Sequence, residues 1–228
     1  MDSTEKTRRE FDQAAIAMEQ YAAPRGVILK NRDFLLKYVP ERIENALEVG
    51  CGLGDFARFI SRRADHVLAL DLSPEMIRVA RERSMDYSNI EYVIADATEY
   101  DLPPNKFDFV SSFMTLHHMP IEAIYEKVAS TVKPGGTLIV FDMCKQEGFR
   151  NAVFSVYRNF FVRNLERALR RLLRGKSRRT RRGMHDHDPD EVFPTVAEVS
   201  RVCHRVMPGA LIREQYGAQR YSIVWKKP

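Results

Sequence analysis

Short apolar runs alternate with amphipathic segments through the middle of the chain, from Asn45 to Met143. Apolar runs of this length, bounded by turn residues, are typical of buried strands, and the segments between them have helical spacing. Strands that alternate with helices indicate βαβ units around a parallel sheet. The clearest predicted strands are Ala46–Val49, His66–Leu70, Ile90–Ile94 and Phe107–Val110.

The two ends of the chain have a different pattern. Residues 5–38 are predicted to form two helices with an interruption at residues 22–26. Apolar residues recur at helical spacing over residues 151–173, and a polar stretch follows. A helix near residues 196–206 and a turn at residues 208–209 then lead into two closing strands.

A glycine-rich turn follows the first predicted strand, with glycines at Gly50, Gly52 and Gly54 and a helical pattern from Phe56. Glycine suits a turn in which the backbone bends tightly and approaches a ligand without a Cβ in the way. The amides at the start of the following helix carry partial positive charge toward such a ligand. The pattern therefore predicts a site for a nucleotide-like cofactor.

The spacing of the turn narrows the choice of cofactor. The glycines are arranged as G-x-G-x-G, whereas the dinucleotide fingerprint is G-x-G-x-x-G. Asp71 ends the second predicted strand, 19 residues after Gly52, where a carboxylate can accept hydrogen bonds from ribose hydroxyls. NAD and S-adenosylmethionine both fit that feature. Glu48 favours S-adenosylmethionine, because a carboxylate beside the turn repels a pyrophosphate but can hold the network around an amino group.

Further motifs follow the turn in order, and with them the chain resembles the class I S-adenosylmethionine-dependent methyltransferases. The resemblance covers about residues 42–143 and the C-terminal hairpin. Its motifs are Asp71–Met76, Asp96-Ala97, Phe107–Val110 with the following residues 111–118, Lys133–Leu138 as the turn into the fifth strand, and Arg220–Trp225 as the last strand.

The resemblance implies an α/β fold, a Rossmann-like three-layer sandwich. Its mostly parallel seven-stranded sheet would end in a C-terminal antiparallel hairpin. It also implies S-adenosyl-L-methionine as cofactor and S-adenosyl-L-homocysteine as product, with Asp71 on the ribose, Leu72 on the adenine ring and Asp96 at the adenine amino group. The expected cofactor-binding residues are Tyr21, Glu48, Gly50, Gly52, Gly54, Asp71, Leu72, Asp96, Ala97 and Phe113.

We expect a single methyltransferase domain over residues 1–228 with four parts. These are an N-terminal helical lid at 1–40, a cofactor-binding core at 42–143, a helical and basic lid insertion at 144–194, and a closing helix and hairpin at 195–228.

Composition supports one intracellular domain. A chain of 228 residues with 44% hydrophobic content can build a full core. Its three cysteines are scattered and predict no disulfide framework, which favours a reducing cytoplasm. The N-terminus lacks the apolar core of a signal peptide, and no apolar run reaches the roughly 18 residues needed to span a bilayer. We expect a cytoplasmic protein, with peripheral contact at the inner membrane surface left open.

The positive charge is concentrated in one segment. Residues 163–182 have a net charge of +9, whereas the whole chain has +5, so the remainder carries −4. The favoured interpretation is a helix over the active site with a basic polar face. A second interpretation is adsorption of residues 160–182 to an anionic membrane, which would suit a lipid-phase substrate such as a quinone or a phospholipid. Nucleic acid is less favoured, because no base-stacking aromatics interleave the arginines.

Two histidines follow the fourth predicted strand. His117 and His118 lie where parallel strands end, and this is the edge at which ligands bind in such sheets. Either histidine could remove the proton of a hydroxyl acceptor near neutral pH. The alternative is that they cap the next helix or pack on the cofactor. Asp142, at the end of the fifth strand, is expected to face the same crevice.

Two other segments contain candidate site residues. Relatives place an aromatic hydroxyl near the cofactor's carboxylate, so Tyr21 and its neighbour Arg25 are candidates, with core packing as the alternative role for Tyr21. The loop His185–Asp190 alternates potential metal ligands but lacks the spacing of structural zinc sites. A gating loop or a counterion to the arginines is favoured there, and no metal is predicted.

We therefore expect transfer of a methyl group to an oxygen or nitrogen of a small or lipid-like acceptor by in-line displacement. The alternatives are an NAD-type oxidoreductase and a noncatalytic membrane- or nucleic-acid-binding module that uses residues 163–182. The sequence identifies neither the acceptor nor the oligomeric state.

Overall fold

The computed structural model describes residues 3–19, 33–145, 193–215 and 219–228. Several predictions concern residues outside these ranges: Tyr21 and Arg25, the basic segment 160–182 and the loop His185–Asp190. The division into four parts stays a prediction. Within the described ranges, no helix is long and apolar enough to cross a bilayer.

Short strands and helices alternate through the described core, as the pattern of apolar runs predicted. The strands are β1 Ile43–Val49, β2 Ala64–Asp71, β3 Ile90–Ile94, β4 Phe107–Phe113, β5 Val132–Met143, β6 Leu211–Gln215 and β7 Arg220–Lys226. The helices are α1 Ser3–Glu19, α2 Asp33–Leu36, α3 Asp55–Ile60, α4 Pro74–Arg83, α5 Ile121–Thr131 and α6 Val196–Val206, with a 3₁₀ turn at Leu116–His118.

The strands form one seven-stranded sheet in the order β3-β2-β1-β4-β5-β7-β6. Strands β1 to β5 pair in parallel, whereas β7 pairs antiparallel with both β5 and β6. The closing hairpin therefore inserts its last strand next to β5, and the predicted sheet is confirmed. The strand order reverses between β1 and β4, where a crevice for ligands opens in sheets of this kind.

Both faces of the sheet are covered by helices. Along β5, Leu138 and Val140 pack with α5 and α6, while Ile139 and Phe141 pack with α3 and α4. This alternation follows from the two-residue period of a strand. A sheet between two helical layers is the predicted three-layer sandwich, which is confirmed.

The segment Lys133–Leu138 was predicted to be the turn into the fifth strand, but it lies within β5. Strand β5 already begins at Val132, which pairs with Phe107, but the next registered pair is Phe109 with Thr137. The extra residues bulge out of the sheet around Gly135, whose φ of +77° suits glycine. The predicted turn is therefore a large bulge inside an extended strand.

Helix α1 packs across α4 and lies over the sheet's carboxyl edge. Ala15 is fully buried and contacts a small cluster that contains Met76 and Val79 of α4. Asp12 accepts a hydrogen bond from the Ser73 hydroxyl at 2.5 Å. Ser73 is the N-cap of α4 and in turn accepts the Met76 amide proton. A side chain of α1 is thus tied directly to the first turn of α4.

Candidate active site

The glycine turn joins β1 to α3 in a left-handed conformation. Gly50, Gly52 and Gly54 have φ values of +73°, +51° and +74°, a region that favours glycine. The amides of Gly50 and Cys51 both donate to the Leu70 carbonyl, at 2.8 and 2.9 Å. The turn is therefore fixed against the end of β2.

The three glycines have different surroundings. A Cβ on Gly50 would lie 2.1 Å from the Thr115 hydroxyl oxygen, and one on Gly54 would lie 2.3 Å from the Tyr92 hydroxyl oxygen. A Cβ on Gly52 would meet no atom within 4 Å. Gly50 and Gly54 thus allow close packing, whereas the backbone at Gly52 borders open space.

Asp71 is placed beside that open backbone. Its Oδ2 accepts the Gly52 amide proton at 2.8 Å, and its Oδ1 accepts the Ser73 amide proton at 3.0 Å. Burial raises the pKa of the Asp71 carboxyl above its usual value, and these backbone hydrogen bonds act against that shift. Each carboxylate oxygen can accept further hydrogen bonds, so the group suits a diol.

Asp96 follows β3 and begins a short turn. Its Oδ1 accepts hydrogen bonds from the Thr98 amide at 2.8 Å and from the Thr98 hydroxyl at 2.6 Å. Tyr100 donates its amide proton to the Asp96 carbonyl at 2.8 Å. These contacts fix the Asp96 carboxylate at the carboxyl edge of the sheet.

A first cavity of about 360 Å³ lies at this edge, between the carboxyl ends of the strands and α1. Eight of the predicted site residues line it: Gly50, Gly52, Asp71, Leu72, Asp96, Ala97, Phe113 and His118. Glu48, Gly54 and His117 are not among its walls. Glu48 is 2% exposed at the end of β1. Its predicted contact with a cofactor amino group stays a prediction.

Several walls of the first cavity were not predicted from the sequence. Thr4, Thr7 and Phe11 come from α1, while Thr115 and Met119 come from the segment after β4. The helical spacing of α1 predicted a lid but did not show which side chains face a ligand. Within the described ranges, no group of three or more His, Cys, Asp or Glu side chains is arranged to hold a metal ion.

The two predicted catalytic histidines lie in different places. His118 lines the first cavity and makes an edge-to-face contact with Phe11, with ring centroids 5.2 Å apart. The side chain of His117 is fully buried, and its Nδ1 forms a hydrogen bond with the buried carboxylate of Asp142. The two histidine rings are in contact, with centroids 4.0 Å apart and planes tilted by 41°. Asp142 was expected to face the ligand crevice, but it is fully buried beneath His117.

A second cavity of about 400 Å³ is lined by His117 but not by His118. It is bounded by the segment after β4, the start of α5, the start of α6 and β7. Its described walls are Leu116, His117, Met119, Ile121, Glu122, Phe193, Pro194, Glu198, Arg201, Val202 and Tyr221. Met119 borders both cavities.

Comparison with known proteins matches this site to a family. Residues 46–136 match a family model described as a methyltransferase domain, and the glycine turn, Asp71 and Asp96 all lie within that stretch. Over this stretch the chain is similar to the class I S-adenosylmethionine-dependent methyltransferases. The resemblance drawn from the sequence motifs is thereby confirmed.

Among methyltransferases of known activity, the chain is 32% identical over 135 residues to phosphoethanolamine N-methyltransferase 1 from Arabidopsis thaliana. That match covers 58% of this chain and 28% of the relative. The chain is also 29% identical over 162 residues to demethylmenaquinone methyltransferase from Bacillus licheniformis, covering 68% of this chain and 67% of the relative. The chain thus spans little more than a quarter of the plant relative's length.

A solved methyltransferase structure has a similar fold. It is the N-methyltransferase NodS from Bradyrhizobium japonicum WM9 in complex with S-adenosyl-L-homocysteine, with a TM-score of 0.61 and 14% identity. The alignment covers 100% of both chains. At this level of identity, the likeness establishes the fold alone.

Proposed function

We propose that the protein is an S-adenosylmethionine-dependent methyltransferase that acts on an oxygen or nitrogen of a small or lipid-like acceptor. The observation that carries this proposal is the pairing of Asp71 with the Gly52 amide at the wall of the first cavity. It sets a carboxylate beside a backbone that has no side chain and borders open space. A cofactor that carries a ribose diol next to an extended chain of its own fits that arrangement.

The remaining walls fit the other parts of an adenosyl cofactor. Leu72, Met76, Ala97 and Phe113 supply apolar surface to the walls of the first cavity. Asp96 supplies a fixed carboxylate that can accept from an adenine amino group. The family relationship and the relative solved with S-adenosyl-L-homocysteine bound support the same cofactor.

The bound cofactor would supply a methyl group already activated by its sulfonium sulfur. The chain then has to position the acceptor and exclude water, so catalysis comes mostly from proximity. Helix α1 would help to exclude water, because its residues Thr4, Thr7 and Phe11 close one side of the first cavity. His118 lines the first cavity and His117 lines the second, and they are the candidate proton acceptors.

Calorimetry with S-adenosyl-L-homocysteine tests the proposal directly. We expect saturable binding to the unmodified chain and a strong loss of affinity in Asp71→Ala, because two ribose hydrogen bonds to a charged group would be lost. Asp86→Ala is the matched control, since Asp86 is exposed and lies outside both cavities. Absence of binding to the unmodified chain, or equal affinity in the Asp71 variant, contradicts the proposal.

A further inference from the structure

The segment after β4 forms one wall of the first cavity and contains a strained residue. Met114, Thr115, His118 and Met119 all line that cavity. Met114 has a φ of +59°, in the left-handed region that a residue with a Cβ rarely adopts. Such a conformation costs free energy and persists only where the surrounding structure imposes it. Contacts from elsewhere in the fold must therefore hold this segment in place.

Two backbone contacts from the end of β5 hold the segment. The Met114 amide donates to the Phe141 carbonyl at 2.8 Å. Three residues further along, the His117 amide donates to Oδ2 of Asp142 at 3.0 Å. Because Phe141 and Asp142 are neighbours on β5, one short piece of the sheet fixes both ends of residues 114–117.

The His117 ring adds a third contact to the same carboxylate. Its Nδ1 forms a hydrogen bond with Oδ1 of Asp142, and both side chains are fully buried. Oδ1 also accepts the Met143 amide proton at 2.8 Å. A carboxylate that accepts amide protons at both oxygens requires the ring nitrogen to be a donor, so Nδ1 carries a proton. A hydrogen bond to a charged group thus reinforces the backbone contacts.

The buried His117 ring in turn supports His118. The two rings are in contact, with centroids 4.0 Å apart. His118 lines the first cavity, where it also contacts Phe11 of α1 at a centroid distance of 5.2 Å, whereas His117 does not line this cavity. A path of direct contacts therefore runs from Asp142 through His117 to a side chain in the cavity wall.

The order of the strands places this wall at one side of the glycine turn. Strand β1, which leads into the turn, lies between β2 and β4 in the sheet. Asp71 ends β2, whereas the segment after β4 lies on the other side, where the Thr115 hydroxyl approaches the Gly50 carbonyl oxygen at 3.5 Å. The proposed ribose and adenine contacts, Asp71 and Asp96, therefore leave this wall available to the methyl acceptor.

We propose that Asp142 and His117 are positioning residues for methyl transfer, which hold His118 and its neighbours in the wall of the first cavity. The inference rests on the proposed function and deepens it, because it assigns the two histidines different roles: His118 borders the reactants, and His117 holds it there. Placement matters because transfer depends mostly on proximity. The role requires a hydrogen-bond donor at position 117, but it does not require an imidazole.

Two substitutions at position 117 separate the donor from mere bulk. In His117→Asn the side-chain amide nitrogen can take the place of Nδ1 and donate to Asp142. In His117→Leu the position stays filled, but the donor is lost and the buried carboxylate lacks its partner. We therefore expect His117→Asn to keep His118 in position and His117→Leu to displace it.

NMR of the histidine ring Cε1–H signals, assigned with His118→Gln, reports the position of His118 without any acceptor. In the unmodified chain, saturating S-adenosyl-L-homocysteine should shift the His118 signal, because this ring lines the first cavity. We expect a shift of the same size in His117→Asn and a several-fold smaller shift in His117→Leu. His204 is the internal control, since it is exposed on α6 and lines neither cavity.

Calorimetry and urea unfolding, run on the same chains, establish that each is folded and binds the cofactor. With that shown, three results overturn the inference: equal shifts in all three chains, no shift in the unmodified chain, or a shift in His117→Asn as small as in His117→Leu. Where His117→Leu does not fold, Asp142→Asn replaces it, because asparagine keeps the volume but has one acceptor oxygen fewer. A full-sized shift there overturns the inference as well. Absence of cofactor binding in the unmodified chain overturns the proposed function instead.

A proton resonance tests the hydrogen bond itself and needs neither cofactor nor acceptor. A ring N–H donated to a buried carboxylate gives a resonance far downfield of the amide region. We expect this resonance in the unmodified chain and in His118→Gln, and its loss in His117→Asn, which has no ring. A spectrum without it in the unmodified chain, or with it in His117→Asn, overturns the assignment of Asp142 and His117.

Discussion

At the scale of single residues, identical side chains in one motif have different physical roles. The sequence predicted Gly50, Gly52 and Gly54 as one ligand-binding unit. The structure shows that Gly50 makes room for Thr115 and Gly54 for Tyr92, whereas a Cβ at Gly52 would enter open space. The partners are 65 and 38 positions away along the chain. Local spacing therefore could not separate packing from ligand approach.

This difference predicts different outcomes for two alanine substitutions. Gly50→Ala should lose about 2–4 kcal/mol of unfolding free energy, because a left-handed alanine costs roughly 1–2 kcal/mol and overpacking against Thr115 adds a similar amount. Gly52→Ala should lose about 1–2 kcal/mol and should weaken cofactor binding, because its methyl enters the cavity. Urea unfolding and calorimetry measure the two effects. Equal stability losses would contradict the assignment.

At the scale of elements, helix α1 connects the lid to the cofactor site. Asp12 on α1 bonds to Ser73, whose amide donates to Asp71, so one short chain of hydrogen bonds runs from the lid to the ribose-binding carboxylate. Phe11, one position earlier, contacts His118 across the cavity. The docking of α1 on α4 therefore helps to fix the position of Asp71 in the cofactor site.

Removing that connection should weaken cofactor binding without unfolding the domain. In Asp12→Ala the Ser73 hydroxyl loses its acceptor, and we expect a loss of about 1–2 kcal/mol in α1 docking, with faster amide exchange in α1. Affinity for S-adenosyl-L-homocysteine should fall several-fold. Gln13→Ala is the matched control, since Gln13 is exposed on the same helix. If both variants bind equally well, α1 docking does not contribute to the cofactor site.

At the scale of the whole molecule, the sequence predicted the features that depend on local pattern and family resemblance. The seven-stranded sheet follows from the family resemblance. The glycine turn and the placement of Asp71 at the end of β2 follow from periodicity and motif spacing. The second cavity was not predicted, because its walls come from Leu116, Glu198 and Tyr221, which chain folding alone brings together. The sequence likewise did not predict that His117 is buried while His118 lines the first cavity. This difference depends on the hydrogen bond between His117 and Asp142, which lies on β5.

Two of the three cysteines provide a test of how cofactor binding stabilises the molecule. Burial, reinforced by the carboxylates of Asp71 and Glu48, raises the pKa of the Cys51 thiol, and burial raises that of Cys203 to about 12. At neutral pH both should react slowly with a thiol reagent and only after the structure opens. Because Cys51 lies in the glycine turn, S-adenosyl-L-homocysteine should slow its labelling in proportion to cofactor occupancy. Cys203 on α6 is the internal control and should be slowed less, as mass mapping would show. Fast labelling of Cys51 that the cofactor does not change would contradict a cofactor site at this turn.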